Sequence, residues 1–366
     1  YLIAAAPKPT LVLAGRYDFI DYNGTQQSFD DLQRVYTSLG EPEKVSLFTY
    51  DDGHGISKPK REKAVQWFRK WLYNDDSAIV EPDLKVLTDR ELFVTEKSKV
   101  NLSFPNETTV QQHNRKLSQE YFKNREEFGG LTIEAKQQHI RNLLNIDVSN
   151  QNISSENVGA VKGKFALFQK VIIRKQNEIP LPALVYYPQK KVKKVVIWIS
   201  DDGKNKLVDS AALMREYIDQ QDVAVVFADL RGTGETADKP ELNDPKYFSK
   251  DYRNAMLALH IGKPLLGQRT QDVQTILQFI AADQKMKQAS IEVNAKGNIG
   301  LVALYAAFLS PKISAVNLNQ CVRSYQGILG QPLAKDRYGL VLHHQLSYYD
   351  IPDLLEWMPK VKIQIN

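Results

Sequence analysis

Two residues of this sequence have the types, order and surroundings that acid–base chemistry needs. Asp18 follows a short β-like run, Thr10 to Ala14, and His54 follows a second, Val45 to Tyr50. In doubly wound sheets the reactive groups sit on loops at the carboxyl ends of the strands. An Asp after one strand and a His after the next match the acid and base of a hydrolase whose chain order is Ser, Asp, His. The carboxylate would hold the imidazole in one tautomer and stabilise its charged form, and the imidazole would take the proton of a serine. Taken singly, an Asp after a strand is usually a turn or cap residue, and a lone His is usually structural. The order of the pair, with Gly53 and Gly55 on either side of His54, carries the functional reading.

The elements that must position this pair are a β-loop-α-β-loop-α series over the first 72 residues. Helical spacing runs through Phe29, Leu32, Val35, Tyr36 and Leu39 and stops at Gly40. A second amphipathic helix spans Arg61 to Leu72, with Ala64, Val65, Phe68 and Leu72 on one face. Strands alternating with helices indicate a parallel sheet. Two strands are too few for a stable sheet, so this segment needs a partner surface.

Residues 75–83 read as a linker, Glu91 to Thr95 as a short β-like piece, and Val110 to Arg125 and Ile133 to Leu144 as polar helices. The Asn- and Ser-rich stretch Asp147 to Glu156 reads as a loop. A second α/β series starts near Lys164. Its strands are Phe165 to Arg174, Leu181 to Tyr187, Val195 to Ser200, Val223 to Asp229, Ser290 to Val293, Ile313 to Leu318 and Val361 to Ile365. Its helices are Ser210 to Asp219, Thr270 to Ala282 and the strongly apolar Gly300 to Leu309.

Composition narrows the function classes. The 366 residues suggest roughly two domains. With 43% apolar and 25% charged residues, a core of normal size can form. A net charge of +5 does not imply a nucleic-acid partner, and the lysines at 190, 191, 193 and 194 read as a solvated turn before a buried strand, with a polyanion contact as the alternative. The single cysteine, Cys321, excludes an intrachain disulfide, which suits the cytoplasm or a disulfide-free secreted protein. No run is long and apolar enough to span a membrane. The start at Tyr1, with no signal-peptide pattern, reads as a cut or processed end. His260, His343 and His344 lack metal-ligand spacing and read as structural; no metal or cofactor is expected.

Several motifs resemble one family. Leu13-Ala14-Gly15-Arg16-Tyr17-Asp18-Phe19-Ile20, Gly24-Thr25, Tyr36, Leu39-Gly40, Asp52-Gly53-His54-Gly55, Trp67-Phe68 and Trp71-Leu72 look like the C-terminal portion of acetyl xylan esterase-like α/β-hydrolases, relatives of the prolyl-oligopeptidase-type hydrolases. Phe227 to Thr236 resembles the loop after the fourth strand of that fold, and Tyr348 to Leu354 the segment before the seventh. A weak internal repeat, Ala6-Pro7-Lys8 against Met358-Pro359-Lys360, fits a tandem-domain form present as a partial chain. The resemblance implies a doubly wound, mostly parallel sheet, with Asp18 as triad acid and His54 as triad base.

In such a fold the nucleophile elbow, G-x-S-x-G, follows the fifth strand and opens the next helix. Here that place reads Asn294-Ala295-Lys296-Gly297-Asn298-Ile299-Gly300. Ala295 takes the first glycine, Gly297 the serine and Ile299 the second glycine, so the nucleophile position is degenerate. A dinucleotide or phosphate loop is disfavoured, because Gly297 and Gly300 lack the rest of the fingerprint and Lys296 precedes the glycines. Asp201 and Asp202, after Val195 to Ser200, lie where an oxyanion loop would be; a plain turn is the favoured reading, with a vestigial oxyanion loop as the alternative.

The expectation is therefore threefold. Residues 1–76 are the acid-and-base portion of a first hydrolase domain whose serine lies upstream of Tyr1, 77–150 are linker and polar helices, and 151–366 are a second, degenerate hydrolase domain. The resemblance implies part of a secreted or periplasmic serine-type carbohydrate esterase acting on acylated plant-cell-wall polysaccharide or oligosaccharide, with this chain inactive alone. The alternative is a non-catalytic pseudo-hydrolase module that binds glycan or stabilises its neighbour. The first 72 residues are also weighed as a circular-permutant-like completion of the second sheet, which would place Leu11 and Val45 in one sheet with Val196 and Val225.

Overall fold

The computed structural model describes residues 1–147, 152–208, 210–239, 251–331 and 334–366. The chain divides into two compact units, Tyr1–Pro105 and Asn106–Asn366.

In the first unit, β1 (Thr10–Gly15) and β2 (Val45–Tyr50) pair in parallel from Thr10 opposite Val45 to Gly15 opposite Tyr50. The crossover is α1 (Tyr22–Ser38), which begins seven residues before Phe29, the first position of the apolar periodicity. Asp21 caps it by accepting from the Gly24 N–H at 2.6 Å. Its core face is small: Leu32 and Tyr36 pack with Val45, and the Tyr36 hydroxyl donates to the Lys8 carbonyl at 2.5 Å and meets Thr10 Oγ1 at 2.9 Å. Helix α2 (Lys58–Tyr73) ends in a left-handed Asn74. The stripe Val65, Phe68 and Leu72, expected to face a core, is instead exposed, Phe68 at 63% and Leu72 at 69%. Two strands supply too little apolar surface to cover both helices. Short helices α3 (Asp89–Leu92) and α4 (Val100–Ser103) follow. The first replaces the expected β-like piece at 91–95, because Thr88 and Glu91 form a reciprocal capping box.

The second unit opens with helices α5 (Val110–Glu120), α6 (Phe122–Gly129) and α7 (Ile133–Leu144). Ile140 and Leu144 of α7 are fully buried in the main core. The later helix α11 (Leu265–Ala282) approaches α7 so closely that a Cβ on Gly267 would lie 1.8 Å from the Leu144 carbonyl oxygen. The sheet contains β3 (Ile153–Lys162), β4 (Leu167–Lys175), β5 (Leu181–Tyr186), β6 (Lys194–Ser200), β7 (Val223–Ala228), β8 (Ser290–Lys296), β9 (Ile313–Asn319) and β10 (Lys362–Ile365). The Asn- and Ser-rich stretch expected as a loop is strand from Ile153 onward; residues 148–151 lie outside the described residues. The β3–β4 ladder breaks between Asn157 and Ala160, where Gly159 has φ +122°.

The strand order is β10-β9-β8-β6-β7-β5-β4-β3. Strands β6 to β10 run parallel to one another; β5 is antiparallel to both β4 and β7, and β3 to β4. Six of the eight strands therefore share one direction, the expected mostly parallel α/β sheet. The remaining helices are α8 (Lys204–Val208), α9 (Ala211–Gln220), α10 (Tyr252–His260), α12 (Gly300–Leu309), α13 (Tyr325–Leu329) and α14 (Ile351–Glu356). Every residue of α12 is buried, which matches its apolar character on all faces.

The permutant arrangement does not occur. Leu11 and Val45 belong to a two-stranded sheet, Val196 and Val225 to the eight-stranded one. The ladder of β1 is taken up by β2 over its whole length, and β10 pairs with β9.

Candidate active site

The two loops that carry Asp18 and His54 leave adjacent parallel strands at the same level, because Gly15 faces Tyr50 in the register. Backbone bonds continue the ladder past the strand ends: Arg16 N–H donates to the Tyr50 carbonyl and Tyr17 N–H to the Asp52 carbonyl, each at 3.0 Å. The loops are close enough that a Cβ on Gly15 would lie 2.6 Å from the carbonyl oxygens of Asp52 and Gly53. Glycine is therefore required where β1 ends.

Asp18 first shapes its own loop, accepting the Ile20 N–H at 2.9 Å. Its two oxygens then face His54 Nδ1 at 3.1 and 3.2 Å. The Asp18 side chain is 13% exposed and the imidazole 62%. The centroid of the Phe19 ring lies 4.4 Å from that of the imidazole. The Ile20 N–H, followed by His54, holds the Asp18 carboxyl below its usual range, so it remains an anion. That anion favours the proton on Nδ1 and leaves Nε2 as the basic nitrogen. Among the described residues Nε2 makes no hydrogen bond.

Lys60, in the first turn of α2, anchors the His54 loop. Its ammonium is 2% exposed, lies 2.7 Å from Asp52 Oδ1 and donates to the Gly55 carbonyl at 3.0 Å. Lys60 lowers the Asp52 pKa. Sequence reasoning missed this clamp, since Lys60 stands among Lys58, Arg61 and Lys63 and no spacing marks it out.

The second unit contains the strand-to-helix turn where an elbow was expected. β8 runs to Lys296, Gly297 turns with φ +95°, and α12 begins at Gly300. Asp201 lies against this turn: Oδ2 accepts the Asn298 N–H at 2.6 Å and Oδ1 the Ile299 N–H at 3.2 Å. Asp202 has a different role; its N–H donates to Ser200 Oγ at 3.1 Å and its carboxylate lies 3.5 Å from Lys206 Nζ. The loop after β7 is tied down by buried ion pairs. Asp229 accepts Lys204 Nζ and N–H, both at 2.7 Å, and the Glu235 N–H at 2.9 Å. Arg231 is bonded to Asp272 and Glu178. His260, His343 and His344 are exposed, and no cluster of metal-ligating side chains occurs among the described residues. No helix among them is long and apolar enough to cross a membrane.

Comparison with solved structures places the fold. A Bacteroides fragilis protein whose assignment as an acetyl xylan esterase is provisional matches over 75% of this chain and 75% of its own, at 11% identity and a TM-score of 0.53. Acetyl xylan esterase 1 from Thermoanaerobacterium sp. JW/SL YS485 matches over 64% and 76%, at 15% identity and a TM-score of 0.44. A glucuronoyl esterase from Solibacter usitatus matches over 63% and 72%, at 9% identity and a TM-score of 0.42. The first of these likenesses shows the fold, an α/β-hydrolase-type fold. No family model and no curated protein sequence matches the chain.

Proposed function

We propose that the first unit is the acid-and-base corner of a serine-type carbohydrate esterase. The observation that carries this reading is the Asp18–His54 hydrogen bond, built at the carboxyl ends of adjacent parallel strands with Nε2 open. Asp18 orients the imidazole, and His54 takes the proton of a serine as that serine attacks an ester carbonyl, then returns it to the leaving alcohol. The serine comes from outside residues 1–105, and residues 1–105 leave the apolar stripe Val65, Phe68 and Leu72 uncovered. Acylated plant-cell-wall polysaccharide or oligosaccharide is the proposed substrate class, in keeping with the name given to the Bacteroides fragilis protein of like fold.

The 366-residue chain alone is then inactive as a serine esterase, leaving at most the roughly 10³–10⁴-fold residual catalysis of a triad without its nucleophile. Ester hydrolysis is measured on this chain and on the full product of its coding region. Activity in the longer protein alone, lost in His54→Ala, supports the reading. Labelling of the 366-residue chain by a fluorophosphonate serine probe would falsify it.

The second unit reads as a non-catalytic pseudo-hydrolase module that stabilises its neighbour or binds glycan. The specific observation favouring this is the glycine at the nucleophile position, Gly297, with a carboxylate packed against it.

A further inference from the structure

The elbow of the second unit keeps its shape although its nucleophile position is a glycine. β6 and β8 are parallel neighbours with Ser200 opposite Lys296, so Asp201 and Gly297 leave the sheet side by side. The Asp201 N–H donates to the Lys296 carbonyl at 3.2 Å and fixes the start of its loop. Its carboxylate then accepts two successive backbone N–H groups, those of Asn298 and Ile299. A Cβ built on Gly297 would lie 2.3 Å from Asp201 Oδ2 and 2.9 Å from its Cγ. The carboxylate therefore fills the space a nucleophile side chain would need. It also takes the N–H of the residue after the elbow, which in an active hydrolase helps hold the oxyanion. The positive end of the ten-residue α12 adds to the attraction.

We propose that Asp201 is an internal pseudo-ligand that permanently occupies the oxyanion hole of the second unit. The unit is closed to acyl chemistry twice, by the missing nucleophile and by its own carboxylate. The elbow persists because it now binds Asp201, and through it joins the ends of β6 and β8. This rests on reading Gly297 as the elbow and is independent of Asp18 and His54. The tests below use stability and exchange, so their failure is distinct from a negative ester assay.

Asp201→Ala opens a cavity lined by two unpaired N–H donors, and formate is the probe that fits it. The variant should melt about 5 °C below the parent, as expected for losing charge-assisted bonds in a unit of this size. Formate, unlike chloride at equal ionic strength, should restore the midpoint saturably in the variant and leave the parent unchanged. Gly297→Ala should cost less in the Asp201→Ala background than in the parent, since the left-handed backbone strain is common to both and the contact with Oδ2 is not. Should Asp201→Ala not fold, hydrogen exchange on the parent and the near-isosteric Asp201→Asn decides. Slower exchange at the Asn298 and Ile299 amides in the parent supports the proposal. Equal exchange in the two proteins, or an Asp201→Ala variant as stable as the parent and indifferent to formate, overturns it.

Discussion

His54 Nδ1 lies almost equally far from the two Asp18 oxygens, at 3.1 and 3.2 Å, so the carboxylate faces the ring as a fork. A single N–H shared between two oxygens selects the Nδ1–H tautomer without a fixed partner atom. Asp18→Asn removes the charge and replaces one oxygen with a donor. The expected outcome is a neutral imidazole populated in both tautomers, read from its ¹⁵N chemical shifts. A ring that stays fully in the Nδ1–H form in the variant would remove Asp18 from the orienting role.

Acid should loosen the first unit first. Asp18 is held low by the Ile20 N–H, Asp52 by Lys60, Asp75 by Ser77 and Glu81 by Arg61. For each, the native pKa lies below the unfolded one, so the unfolded chain takes up protons first as pH falls. Their contribution is complete above the ordinary carboxylate range, around pH 4, and disappears as pH drops through the native values. Amide protection factors across residues 1–105 should fall between roughly pH 5 and pH 3, ahead of those in the buried strands β6 and β7.

Gly15→Ala places a methyl group against two carbonyl oxygens that are part of the backbone and cannot swing aside. The two loops must separate, and Asp18 and His54 with them. A destabilisation of about 1–3 kcal/mol is expected, together with weakening of the His54 Nδ1–H signal. A variant with parental stability and an unchanged imidazole spectrum would contradict the close approach.

Lys60→Met keeps the length of the side chain and removes its charge. Asp52 loses its ion-pair partner and the Gly55 carbonyl its donor, so the unit should unfold at a lower denaturant midpoint. The Asp52 carboxyl should then titrate closer to its ordinary range. Unchanged Asp52 titration would show that the clamp is not electrostatic.

In the second unit, Lys204→Met strands the buried Asp229 carboxylate with backbone donors alone. Removing one member of a buried pair costs about 3–5 kcal/mol. Denaturant unfolding should show this as a lower midpoint at unchanged slope.

Much of this was legible in the sequence where composition is extreme. α12 and β7 are apolar on every face, so their bounds and burial follow directly. The Asp18–His54 pair could be read because the order of two short strands and the flanking glycines were local signals. Other features had local signals that apolar spacing outweighed, such as Asp21 capping α1 and the Thr88–Glu91 box. Strand β3 carried little signal at all: Ser154, Ser155, Glu156 and Asn157 suit a loop equally well, and the strand exists only because β4 pairs with it. The placement of Asp201 against Gly297 depends on the register between β6 and β8, which are far apart in the chain and bear no sequence mark of their alignment.

The break in the β3–β4 ladder has a consequence for behaviour in concentrated solution. β3 is the outer strand of the sheet, and nearly all of its residues are exposed, Val158 and Val161 among them. A long flat edge of this kind would offer unpaired N–H and C=O groups to a second molecule and invite fibrous association. The left-handed Gly159 puts a bulge in that edge, and Glu156 and Lys162 place charge near its two ends. The kinked, charged border makes a poor template for edge-to-edge pairing.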